Sequence, residues 1–117
     1  MDLRELVSAL LSYDTLAARQ WVVDSLRHGV VWATIPQPSG LDAVGMGVAA
    51  GVAELLAGRA GQAPPPWAKT VEAAPTPVCL VKAARTMPRL RQLCEQEGPE
   101  PFRRRGILAP PEFLTVA

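Results

Sequence analysis

Histidine, cysteine and aromatic residues are scarce in this 117-residue chain, which holds 1 His, 2 Cys, 3 Trp, 2 Phe and 1 Tyr. A lone His28 cannot build a histidine-rich metal site. It stands beside Gly29 at the end of a helical pattern, where the helix dipole favours its charged form, a capping role. No spacing pairs it with Cys79, Cys94 or a serine as a nucleophile and base. Cys79 and Cys94 show no CxxC spacing, which excludes a zinc site and a disulfide framework. They read as reduced, largely buried thiols. HExxH, P-loop and GxGxxG patterns are missing as well. The carboxylates are scattered, apart from Glu95, Glu97 and Glu100, which offset neighbouring arginines better than they would serve as acid and base. The expectation is a protein that is not an enzyme and holds no cofactor or metal.

A global charge of one sign is also missing: the net charge is +1, so no overall field favours nucleic acid or a membrane surface. Long apolar runs are few. The longest apolar segment, Leu41 to Ala60, is interrupted by Glu54, and Val44 to Ala57 falls short of the ~20 residues a membrane span needs. Met1-Asp2 opens on an acidic residue without a basic n-region or long h-region, so the expected location is the cytoplasm.

What the chain does have is helical periodicity broken by proline. Leu3, Leu6, Val7, Leu10 and Leu11 make an amphipathic stripe, and Ser12-Tyr13-Asp14 makes a break with Asp14 as the next N-cap. A second helix runs from Thr15 to His28, giving a helical hairpin over residues 1–29. The start of that second helix, Asp14-Thr15-Leu16-Ala17-Ala18, offers nothing to bases, which argues against a helix-turn-helix DNA reader. Trp32 is expected to pin an extended segment into the core. A central helix over 42–60, within the segment 41–61, is capped by Asp42 and stopped by Gly61. Its glycines cost about 1 kcal/mol each relative to alanine, so the helix must regain that by close packing. The face carrying Gly47 and Gly51 is self-complementary and admits a homodimer.

The 12 prolines are about twice the usual ~5% share. They cut the second half into short pieces. Pro64-Pro65-Pro66 resembles an SH3 or WW ligand less than a stiff connector that packs Trp67. Residues 69–77 read as loop. Residues 78–85 are expected to form a short helix, followed by one from Pro88 to Gln96 with Leu90, Leu93 and Cys94 inward, and a further helical turn around Phe102. Residues 78–106 thus form a basic helical segment: residues 82–106 carry seven cations and three carboxylates, +4 on a slightly acidic body. The tail, 107–117, is apolar and too proline-broken for a long element. The expected fold is a single all-α domain over 1–117: a compact bundle of about five helices around the central one, with proline-rich connectors and an extended C-terminal tail.

Two features suggest a binding surface. Arg103, Arg104 and Arg105 are consecutive and fan out on a helical turn, one reaching inward to Glu97 or Glu100 and at least one left exposed. Guanidinium groups suit carboxylate or phosphate. Ile107, Leu108, Phe113 and Leu114 follow, and either pack back onto the first helices or meet a partner; beside arginines, such a patch has the composition of a protein interface. Nucleic acid is less favoured than protein, since only Phe102 and Phe113 are near to stack on bases.

The phrases ARQWVVDSLRHGVVW, GVAAGVAELLAGRAGQAPPPW and MPRLRQLCEQEGPEPFRRRGILAPPEFLTVA resemble a group of small uncharacterised proteins of high-GC bacteria, over Ala18 to Ala117. Such proteins look like the smaller partner in two-gene modules, beside a nucleotidyltransferase-like protein, similar to a toxin–antitoxin pair. The resemblance implies an antitoxin-like protein that binds a nearby-encoded, toxin-like nucleotidyltransferase, and carries over no catalytic residue. The alternative is a nucleic-acid-binding regulator using the same arginines.

Overall fold

The computed structural model describes residues 2–115. Positions 1, 116 and 117, the last two belonging to the expected tail, lie outside them. Five α-helices occur among the described residues: α1 (Leu3–Leu11), α2 (Thr15–Arg27), α3 (Ala43–Arg59), α4 (Pro88–Glu97) and α5 (Glu100–Arg103). Helix, 3-10 turns included, accounts for 55% of the described residues and strand for 4%, a mostly-α small bundle.

The caps are where the residue types require them. The Asp14 carboxylate accepts from Ala17 N at 3.1 Å, and the Asp42 carboxylate from Gly45 N at 2.7 Å. Helix α3 ends in a Schellman motif: Gly61 takes φ +67°, Gln62 N donates to Ala57 O and Gly61 N to Gly58 O. Helix α1 ends in the same motif, with Asp14 N donating to Ala9 O and Tyr13 N to Leu10 O, but the left-handed residue is Tyr13, at φ +58°. A side chain in that conformation costs about 1–2 kcal/mol. Tyr13 Oη donates to the Cys79 carbonyl at 3.3 Å, so the turn that carries this cost also ties the hairpin to a segment far along the chain.

Helix α3 is the hub. It packs against α1, α5 and both the Trp32–Thr34 and Ala68–Thr70 3-10 turns. Its buried positions go almost all the way round the axis, as an apolar helix in the centre of a bundle should. Gly51 admits the ring of Phe102: a Cβ there would lie 2.6 Å from Phe102 Cε1. A second part of the small-residue face, Gly47, lies against Ile107 and Ala74. The face expected to admit a homodimer is therefore filled by α5 and the tail of the same chain.

Indole N–H groups pin the connectors. Trp21 Nε1 donates to Asp2 O at 3.1 Å and Trp67 Nε1 to Ile35 O at 2.8 Å. Trp32 is buried, 6.2 Å from the Trp21 ring, and Gln62 grips its segment from both sides: Trp32 N donates to Gln62 Oε1 and Gln62 Nε2 to Val30 O. Pro65 is fully buried, so the proline run is a packed connector.

Residues 78–85 depart from the expected helix. Val78–Cys79 form a strand, β1, parallel to β2 (Ile107–Leu108), with Val78 opposite Ile107 and Cys79 opposite Leu108. The apolar Val78 to Leu80 pairs along its backbone, and helix-forming Lys82–Arg85 closes into a 3-10 turn. The run holds both preferences in series. The β1–β2 pairing also places the first tail residues inside: Ile107 joins the main core, while Leu108 joins a smaller cluster with Ala84 and Cys94. Beyond them the tail folds back, and Arg59 donates to the carbonyls of Phe113 and Pro111.

Candidate protein-binding surface

The seven residues singled out in the C-terminal segment do not form one exposed patch. Arg105 is 2% exposed. It forms an ion pair with Glu54 of α3, and its Nη1 and Nη2 donate to Pro101 O and Ala68 O, each at 2.8 Å. Arg104, half-exposed, shares the same Glu54 carboxylate and lies 3.8 Å from Glu100. Arg103 is exposed, with Nη1 on Gln96 O at 3.2 Å. Ile107 and Leu108 are buried, and Phe113 and Leu114 are half-buried against the core, Phe113 meeting Phe102 edge-on at 5.9 Å.

An arginine does reach inward, but its main carboxylate partner is Glu54, not Glu97 or Glu100. Glu54 looked like an interruption of an apolar helix; it is the anion that two cations meet. Burial pushes the Arg105 guanidinium down from its usual value, with Glu54 opposing that shift. For Arg104 the hydrogen bond with Glu54 raises it. This cluster joins α3, α5 and the Ala68 turn, so Arg105 is a structural cation and, with Ile107 and Leu108, is removed from the candidate surface.

Apart from exposed Arg103 and half-exposed Arg104, the outward-facing cations of the basic segment lie upstream. Residues 82–91, KAARTMPRLR, contain Lys82, Arg85, Arg89 and Arg91 and no carboxylate. All four are exposed. Arg91 pairs with Glu95 at 2.9 Å. Lys82, Arg85 and Arg89 have no carboxylate partner among the described residues. Met87 stands among them at 53% exposure. Beside this ledge lies a shallow groove of about 420 Å³, walled by Leu11, Tyr13, Pro77, Val78, Arg85 and Arg91. In the sequence this ledge is marked only by its charge density, a weaker signal than the consecutive Arg103–Arg105.

Of the other reactive groups, half-buried Cys79 lines the same groove as a free cysteine, while His28 and Cys94 are committed elsewhere. The His28 ring lies 2.7 Å from Asp24 O at the end of α2. Cys94 is fully buried, and burial pushes its thiol up, away from the thiolate a nucleophile needs. No three His, Cys, Asp or Glu side chains gather as a metal site, and no helix is long and apolar enough to cross a membrane, among the described residues. Comparison with protein-family models, with curated proteins and with solved structures found no match for this chain.

Proposed function

We propose that this chain is a non-catalytic protein-binding module of the cytoplasm, the antitoxin-like partner of a toxin-like nucleotidyltransferase encoded nearby. The observation that supports this reading is the ledge Lys82–Arg91, where three cations without a carboxylate partner among the described residues flank exposed Met87 along the chain. A surface that combines guanidinium groups with an exposed thioether has the composition of a protein interface. An acidic metal-and-nucleotide pocket is the complement that such a ledge would cover.

The test is co-expression with the genomic neighbour, one chain tagged, and native mass measurement of what elutes. A stoichiometric complex that is lost on combining Lys82→Glu, Arg85→Glu and Arg89→Glu is the expected result. Elution of this chain alone would overturn the reading. A second reading, a nucleic-acid-binding regulator, rests on the same four cations in ten residues. It predicts co-eluting nucleic acid and a steep fall in binding as salt rises.

A further inference from the structure

We propose that the groove between the α1–α2 turn and β1 is a docking site for an acidic protein segment bearing an aliphatic side chain. This names the partner chemistry of the ledge and rests on the protein-binding reading above. Three observations carry it. No carboxylate lines the groove, while Arg85 and Arg91 stand on its wall and Lys82 and Arg89 are exposed on the adjoining ledge. The lining is mixed, and Leu11, itself 39% exposed, with Pro77 and Val78 makes up its apolar part. Tyr13, which walls the groove, is held left-handed, at φ +58°, a conformation that costs free energy and is retained where surrounding structure enforces it.

The chemistry follows from these groups. An aliphatic side chain laid on Leu11 and Val78 removes apolar surface from water, worth about 25 cal/mol per Å². Carboxylates on either side meet the Arg85 and Arg91 forks, which accept planar oxyanions in pairs. Arg91 already holds Glu95, so an incoming carboxylate at Arg91 shares or displaces that exposed pair, at small cost. Arg85 has no such competitor among the described residues.

The test uses the full chain, 15N-labelled, titrated with a hexapeptide of alternating aspartate and leucine. Its asparagine analogue and a hexathymidylate are the controls. The expected result is amide shifts centred on Leu11, Val78, Arg85 and Arg91. Binding should weaken by about tenfold in Arg85→Glu with Arg91→Glu, and stay unchanged in Arg103→Glu. Arg85→Gln with Arg91→Gln, which removes charge without reversing it, should give an intermediate loss and guards against misfolding. No binding, equal binding of the asparagine analogue, equal or tighter binding of hexathymidylate, or shifts elsewhere would each overturn the proposal. Failure here alongside a complex with the neighbour would place the partner on another face; peptide binding without that complex would retain the groove and remove the antitoxin-like reading.

Discussion

The two ends of the basic segment use the same residue type for opposite purposes. Around 103–105, arginine is turned toward the protein: Arg105 is buried on Glu54 and two carbonyls, and Arg104 shares that carboxylate. Around 82–91, arginine and lysine face water with few anions near. What decides the difference is what each stretch packs on. The Arg103–Arg105 turn follows Phe102, whose ring is seated on Gly51 of α3, one turn from Glu54. The seating of Phe102 brings its arginines over that carboxylate. The 82–91 stretch rests on a small cluster of Ala84, Cys94 and Leu108 that offers no buried anion.

The largest test of that contrast is Glu54→Ala. It leaves Arg105 buried without its anion and should cost about 3–5 kcal/mol in denaturant unfolding. Glu54→Leu with Arg105→Met should recover most of the loss, because well-packed apolar replacement of a buried pair is near neutral. With Glu54 intact, Arg105→Lys keeps the charge but not the planar fork, and unchanged stability there would mean that charge, not fit, holds the contact. Next comes Gly51→Ala. Its Cβ overlaps the Phe102 ring, and overpacking costs about 1–3 kcal/mol, offset by about 1 kcal/mol of helix propensity. Calorimetry should show a lower Tm, restored when Phe102→Leu is added.

Tyr13→Phe removes one hydrogen bond and should cost about 0.5–1.5 kcal/mol. Tyr13→Ala and Tyr13→Gly both lose that bond and the ring, but only glycine relieves the left-handed backbone, so Tyr13→Gly should be the more stable of these two in the same melt. The smallest stability effect belongs to Arg85→Glu or Arg89→Glu, within about 0.5 kcal/mol as for most surface changes. A large loss of stability there would place these cations in the fold and erase the contrast.

Much of the scaffold was legible in the residues. Asp14, Asp42 and Gly61 mark helix ends through chemistry that is local, and the stripe from Leu3 to Leu11 declares its buried face. The parallel pairing of Val78–Cys79 with Ile107–Leu108 was not legible, since each run is short and the register depends on where α4 and α5 carry the chain. Nor was the role of Glu54, because only three-dimensional packing brings Arg104 and Arg105 to it. The Gly47–Gly51 face was read correctly as a site of close approach, but its occupant proved to be Phe102, Ile107 and Ala74. For the candidate surface, arginine as the residue type was legible and the address was not: which cations stay exposed without a carboxylate partner depends on packing.

The parallel β1–β2 ladder makes the groove a property of the whole fold. A parallel pair needs a long crossover, and here α4 and α5 lie between the two strands. The groove draws its lining from Leu11, Tyr13, Pro77, Val78, Cys79, Arg85 and Arg91, so it exists only once that crossover has closed. A ligand there recognises the completed fold and ignores the open chain. Its binding free energy therefore adds to stability by mass action, and a partner in this groove would slow every proteolytic cut that requires the 79–106 lobe to open.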